Sequence, residues 1–444
     1  MKKYFWLVLI NTVVFSASHA WAMEFQPLGF EASSIGGAGV AASKGSYAPY
    51  YNPALLAERR YGAEFSLSGG FGIREIDVVD HLDRLASIDV DETIGMFESG
   101  VSDPLNPPSL STIQDILDDL ETIQTELQAL AKRNGIQLMP NAAFGAQIKN
   151  VGVGVYGVSE GSAYAVIDPE RLDIILPVEM AGTTYYVEYD VSGTTIIPDV
   201  GLDEYEARSF EYAINNGLTY LQLTGLAYAE IPIAYGHRFK TGFGSLDVGA
   251  SFKVMPGYTY EQRIDIDTES DELSDSLDNN KHEDTAFGFD AGLLFKPDAV
   301  SGLALGIVGK NLNTPAFETA SGGELEVDPQ VRAGMAYDLL GDKVTLALDL
   351  DVTENETFIP NYNSRFIGGG FNLHPFSWLS LRGGLMQNMS ESDEGIIYTG
   401  GFSIGSKWIQ LDLTGQMSQK KGEYDGDEIP RYARVQLAFV SRWF

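Results

Sequence analysis

The residues of this chain that could do covalent chemistry are few and poorly arranged for it. Gly401-Phe402-Ser403-Ile404-Gly405 matches the nucleophile-elbow pattern, which needs a strand–turn–helix and a partner histidine. Here the match lies within an alternating apolar/polar stretch that is followed by another such stretch. The five histidines (His19, His81, His237, His282 and His374) show no supporting arrangement. Gly37-Ala38-Gly39-Val40-Ala41-Ala42 imitates a dinucleotide loop, but no strand precedes it and no α/β unit follows. There is no H-x-x-x-H pair or clustered ligand set. The absence of Cys removes thiolate zinc sites, cysteine nucleophiles and disulfide scaffolds. The acidic run from Asp265 to Asp284 lacks EF-hand spacing and reads as a solvated loop. The expectation is no enzyme, no cofactor and no metal.

What remains is charge placed at every second position. Asp290, Arg332, Asp349, Asp351, Arg365, Arg382 and Asp412, with Asp247 and Lys253, stand between apolar residues. From Val344 to Val352, for example, Val344, Leu346, Leu348, Leu350 and Val352 alternate with Thr345, Ala347, Asp349 and Asp351. Successive side chains of a strand point to opposite faces, so each stretch has one greasy and one polar face. In a sandwich the polar face would be solvated; in a barrel it would line the lumen. The alternation predicts strands near 62–73, 141–150, 152–160, 183–192, 221–239, 243–264, 284–296, 302–312, 329–338, 342–352, 363–373, 376–387, 395–405, 407–418 and 430–444. Many are 10–12 residues long, which suits a tilted membrane-crossing strand of about 9–11 residues better than a soluble strand of about 5–6. Very short connections at Asn150–Val151, Gly341–Asp342, Pro375 and Ser406 alternate with long acidic ones, as in outer-membrane barrels.

Composition narrows the class further. The chain has 444 residues, 62 acidic and 29 basic, for a net charge of −33, which excludes a nucleic-acid binder that must neutralise phosphates. Residues 1–22 combine Lys2 and Lys3, an apolar run from Phe5 to Phe15 and the small-residue site Ala20-Trp21-Ala22. This is the pattern of a secretory signal peptide cleaved after Ala22. No later stretch reaches 18 apolar residues without charge, so strands rather than helices must make any crossing. The chain ends in an aromatic residue, Phe444, on a final strand, which resembles the assembly signal read by the barrel-assembly machinery. Phe444 falls on the face of Arg434, Gln436 and Arg442, whereas Ala433, Val435, Leu437, Phe439 and Trp443 form the cleaner apolar face.

Two stretches depart from the two-residue period. Ile113, Ile116, Leu117, Leu120, Ile123, Leu127 and Leu130 recur at helical spacing, which predicts an amphipathic helix within 109–134, begun by Ser109 or Ser111 and stopped by Asn134-Gly135. Residues 203–218 read as a second short helix, and both would cap the extracellular rim. The small-residue run Gly36-Gly37-Ala38-Gly39, followed by Tyr51-Asn52-Pro53-Ala54-Leu55, resembles the start of FadL/TodX-type outer-membrane transporters. Leu305-Gly306-Ile307-Val308-Gly309-Lys310-Asn311-Leu312, Asp328-Pro329-Gln330-Val331-Arg332 and Leu348-Asp349-Leu350-Asp351 are similar to the related TraF-type barrel family linked to conjugal transfer.

These resemblances imply a plug packed inside the barrel, with Gly36, Gly37, Gly39, Asn52, Pro53 and Ala54 as plug or gating candidates. The expected organisation is a signal peptide at 1–22, a plug at 23–60 and an all-β transmembrane antiparallel barrel of about 14 strands at 61–444, with a helical insertion at 109–134. The expected function is passive uptake of small hydrophobic molecules through the outer membrane, using an apolar pocket beside the plug. A conjugal-transfer structural or assembly component is the alternative. The expected partners are outer-membrane lipid, a hydrophobic small molecule and the barrel-assembly machinery.

Overall fold

The computed structural model describes residues 23–58, 62–88, 93, 95–96, 109–190, 195–265, 280–341, 343–406, 408–424 and 426–443. The expected export signal, the middle of the acidic run and Phe444 lie outside the described residues.

The alternating stretches become strands β1 (Ala63–Ile76), β2 (Asn141–Ile148), β3 (Val151–Val166), β4 (Tyr220–Thr241), β5 (Gly244–Asp265), β6 (Lys281–Pro297) and β7 (Leu303–Lys310). They continue as β8 (Gln330–Leu339), β9 (Val344–Asp351), β10 (Phe366–Phe376), β11 (Leu379–Asn388), β12 (Ile396–Gly405), β13 (Gln410–Ser418) and β14 (Tyr432–Trp443). Each pairs antiparallel with its neighbour, and Gly135–Leu138 prolongs β2 beyond a break at Met139-Pro140. The last strand returns to the first, from Ala63↔Trp443 to Arg74↔Tyr432, and closes a 14-stranded barrel. Closure leaves no sheet edge to pair, the condition for a sheet to stand in hydrocarbon.

Short turns gather at one rim, such as Lys149-Asn150 between β2 and β3, where Lys149 takes a left-handed φ of 54°. The start of β1 and the end of β14 lie at this same rim. All long connections emerge at the other rim. The wall is uneven in height, because β4 and β5 run 22 residues each, whereas β7 and β9 run 8.

The apolar phase points outward. Ile233, Phe252, Phe287, Leu348, Phe402 and Leu437 are exposed, while Asp247, Lys253, Asp290, Asp349 and Asp412 on the opposite phase are buried. Among the described residues no second sheet covers the apolar face, the arrangement of a barrel wall that faces acyl chains. At the short-turn rim Phe376 stacks on Trp378 (ring centroids 5.5 Å apart) and Trp408 meets Trp443 edge-on (5.0 Å). Amphipathic rings at that level form an interfacial belt.

One predicted barrel strand is not one. The stretch expected at 183–192 is Thr183–Asp190, the middle strand of a small sheet with Ile174–Met180 and Thr195–Ile197, outside the barrel. Alternation over eight residues fixes a strand but not its partners, and a hairpin through Gly182 (φ 80°) pairs it locally instead. The predicted helix forms as Leu110–Leu130, with the Ser109 hydroxyl accepting from Thr112 N at 3.1 Å. Its apolar stripe (Ile116, Leu120, Ile123, Leu127 and Leu130) packs on Ile174, Leu176, Val178, Val187 and Tyr189 of that small sheet. The helix expected over 203–218 is broken into Leu202–Arg208 and Phe210–Asn215 by extended Ser209, whose hydroxyl caps the second piece. A further helix, Val79–Ala86, was not anticipated. Its Arg84 and His81 hold Glu126 on the long helix at 2.5 Å. Burial pushes the Glu126 carboxyl up, but hydrogen bonds from Arg84 and His81 outweigh it and hold the group below its ordinary range.

Candidate functional site: the sealed lumen

A barrel whose inner face carries charge must either fill with water or fill with protein that answers those charges. Here residues 23–58 answer them. They run through the lumen as short turns of helix, Phe30–Ser34, Gly45–Tyr47, Ala48–Tyr51 and Pro53–Ala57, and join no barrel strand. The segment begins toward the long-loop end, where Gln330 donates to the Met23 carbonyl and Glu24 pairs with Arg74 at 2.8 Å. It leaves at the short-turn rim, where Glu58 pairs with Arg238 and Lys296.

Side chains of the wall grip its backbone in between. Asp349 Oδ2 accepts from Gly39 N (2.7 Å) and Val40 N (2.9 Å). Gly36 N donates to Thr399 Oγ1 (2.9 Å), and the Pro27 carbonyl accepts from Gln436 (2.8 Å) and Arg434 (3.1 Å). Glu64 accepts from Ser46 N at 2.9 Å and is itself held by Arg442 at 2.7 Å.

The expected plug residues have distinct positions in this arrangement. Gly36 takes a left-handed φ of 72°, and a Cβ there would lie 2.5 Å from Gly369 N and 2.7 Å from its carbonyl oxygen. Gly37 lends its carbonyl to Arg332 (3.5 Å), and Gly39 packs under the Tyr51 ring. Asn52 caps the turn that begins at Pro53, its Oδ1 accepting from Ala54 N (3.0 Å) while its Nδ2 reaches the Val40 (3.0 Å) and Leu293 (3.2 Å) carbonyls. Pro53 and Ala54 press on the wall at Gly249, where a Cβ would overlap their backbone.

The expected lumen residues divide into separate pairs. Arg332 meets Asp351 at 2.5 Å and lies over the Phe25 ring at 4.1 Å. Arg382 meets Asp412 at 2.9 Å, and the Ser403 hydroxyl also bonds Asp412. Ser403 is therefore a strand residue in a buried charge pair, with no elbow and no histidine partner shown. Arg365 stands apart: it precedes β10 at the long-loop rim on the phase of Ile367, half-buried, and donates to the Asp351 carbonyl at 3.1 Å.

Asp290 belongs to a network whose other members sequence reading did not join. Lys253 Nζ lies 3.0 Å from Asp290, 3.1 Å from Glu230 and 2.7 Å from Asn311 Oδ1. Lys310 lies 3.2 Å from Glu230 and 3.5 Å from the centroid of the Tyr50 ring. A second such centre is Arg74, fully buried between Glu24 and Glu394 (2.8 Å each) and facing the rings of Tyr362, Phe366 and Tyr432. The available signal was a lone charge in an otherwise apolar stretch, as with Glu230 in Leu226–Ala234 and Lys310 after Leu303–Gly309.

The apolar space expected beside the plug is occupied by the protein itself. Phe25, Tyr50, Tyr51 and Tyr156 pack ring on ring at 5.2–5.7 Å, with Tyr228 and Phe317 beyond them. At the short-turn mouth a polar cavity of about 130 Å³ opens between Phe30, Lys44, Glu64, Asn372, Arg382 and Arg442. Between that cavity and the long loops, residues of the plug such as Phe25, Leu28, Tyr50 and Tyr51 are buried against the wall.

Comparison with known proteins gives three results. Residues 49–351 match the family model described as "F plasmid transfer operon, TraF, protein". A search of curated proteins finds no match. Among solved structures, the toluene transporter TbuX of Ralstonia pickettii aligns at TM-score 0.46 and 12% identity, over 95% of this chain and 100% of its own. The P. putida toluene transporter TodX aligns at 0.45 and 12%, over 94% and 98%. A FadL homologue of Pseudomonas aeruginosa aligns at 0.44 and 10%, over 96% and 100%. These are likenesses of fold, and no residue role is transferred from them.

Proposed function

The chain belongs to the family of F plasmid transfer operon TraF proteins, and we propose that it works as a plugged outer-membrane channel for passive entry of small hydrophobic molecules. The observation that carries this reading is the attachment of residues 23–58. The segment is gripped by side chains and makes no ladder with the wall, so it can shift without breaking a barrel hydrogen bond between strands. Lumen charges are largely paired with one another, which leaves aromatic ring faces as the surface an incoming molecule would meet. Release of Gly36–Val40 from Asp349 and Thr399 would open the route, and no covalent step is involved. Strand β14, which leads to Phe444, would carry the signal for barrel assembly.

Chain chemistry offers a direct test. There is no Cys, so an engineered pair forms the sole disulfide. A Cβ built on Gly401 lies 2.9 Å from Ser34 Cβ, within about 1 Å of disulfide geometry. Cells expressing Ser34→Cys/Gly401→Cys are expected to take up a panel of hydrophobic solutes only after reduction. Equal uptake in the oxidised and reduced states refutes plug movement as the gate.

A second reading is favoured by the family description and by the cap built from Val79–Ala86, Leu110–Leu130 and the small sheet. In it the barrel supports a conjugation component at the surface. If deletion of 109–134 spares uptake but abolishes DNA transfer, the second reading replaces the first.

A further inference from the structure

The wall itself carries a feature that the channel reading leaves unused. One cross-strand row runs Leu138↔Gly161↔Gly225↔Tyr260↔Lys281 from β2 to β6. On the outer face along this row the side chains are lost: Ser159, Gly161, Ala163, Gly225 and Ala227 leave the backbone nearly bare. A Cβ added at Gly161 would meet nothing within 4 Å. Leu138 and Ile136 wall one side and Tyr258 and Tyr260 the other, enclosing an apolar groove of about 490 Å³. That volume falls within the range of about 300–1,000 Å³ typical of sites that enclose a ligand.

We propose that this groove holds one acyl chain of a phosphorylated glycolipid of the outer leaflet, with Lys281 meeting its phosphate. Three observations choose that occupant. The groove is continuous with the lipid-facing belt, since Leu138 pairs with Ile73 and both are exposed on it. Its height is that of the outer leaflet. Leu138, Gly161 and Gly225 each lie ten residues above the register partners Ile148, Val151 and Tyr235, about 25 Å over the turn between β2 and β3 at a 40° tilt. The apolar band of such barrels is about 25 Å tall, so the groove sits at its upper edge, against the headgroup layer.

The third observation is charge. In a chain of net charge −33, the groove's upper lip presents an ammonium, with Lys281 Nζ 3.8 Å from the centroid of the Tyr258 ring. The ring face holds the cation at the lip, where basic side chains recognise lipid phosphate. The assignment rests on the outer-membrane placement in the reading above, and not on transport.

The test is lipid retention. The full-length mature protein is extracted from outer membranes, delipidated stepwise in detergent and weighed by native mass spectrometry, with heat-modifiable gel mobility as the check on folding. The parent is expected to keep one glycolipid after the annular lipid is gone. Gly161→Leu, which fills the groove without a clash, and Ala227→Leu are each expected to lower retention about tenfold. Lys281→Ala is expected to lower retention of phosphorylated glycolipid to that of the dephosphorylated form. Unchanged retention in both filled variants overturns the site, and equal retention of phospholipid and glycolipid by the parent overturns its assignment to the outer leaflet. Because retention is read separately from uptake, failure of this site and failure of the channel reading are distinguishable.

Discussion

Replacing Asp349 by alanine removes the firmest grip of the wall on the plug. The carboxylate is 4% exposed and accepts two backbone N–H groups, from Gly39 at 2.7 Å and Val40 at 2.9 Å. A hydrogen bond to a charged group is worth about 1.5–3 kcal/mol net, so the pair holds the plug by about 3–6 kcal/mol. At 1.4 kcal/mol per factor of ten, Asp349→Ala raises the displaced fraction by about 10²–10⁴. The barrel keeps its nearest ion pair, because Arg332 retains Asp351 at 2.5 Å. Asp349→Asn keeps an acceptor but loses the charge, and an intermediate effect is expected. The assay is single-channel recording in planar bilayers, with opening frequency as the readout and heat-modifiable mobility as the folding control. An Asp349→Ala channel as silent as the parent, in a folded barrel, refutes the argument that these two bonds seat the plug.

Three further outcomes follow from the same structure. Gly249→Ala sets a Cβ into the backbone of Pro53 and Ala54, so the plug must shift; conductance should rise even though the change is one methyl on the opposite element. The Glu126 carboxyl is held below its ordinary value, so its contribution to the cap is present above about pH 4.3 and is lost as pH falls through its folded value. Amides in Val79–Ala86 and Leu110–Leu130 should therefore exchange faster in acid, and Glu126→Gln should show the fast rate at neutral pH; identical acid dependence in the variant counts against this pairing. If residues 1–22 are removed, Trp378, Trp408 and Trp443 are the only tryptophans left, all at the short-turn rim. Lipids brominated near the headgroup should then quench the emission more strongly than lipids brominated at the chain end, and the reverse order would displace the belt.

Alternation was enough to reveal the strands, because a side-chain period of two survives whatever the strand pairs with. Val344–Asp351 and Lys281–Pro297 were legible on that ground alone, as was the helix from Ile113 to Leu130 with its period of 3.6. The small residues Gly36–Gly39 and the Asn52-Pro53 turn marked a segment able to thread a crowded space. Periodicity is a local property, however, and pairing is not. Thr183–Asp190 alternates as barrel strands do, yet closes on its own hairpin. Glu230 and Lys310 are 80 residues apart and meet only because four strands carry the wall from one to the other. Arg365 read as lumenal until the register at the start of β10 set its phase. The sequence by itself determined which residues are strand and which face of each is apolar, since both follow from side-chain chemistry and the geometry of a single extended chain. Only the closed barrel decided that the charged face lies inside and is answered by the plug, because the partners of a buried charge are chosen by the whole sheet rather than by any one strand.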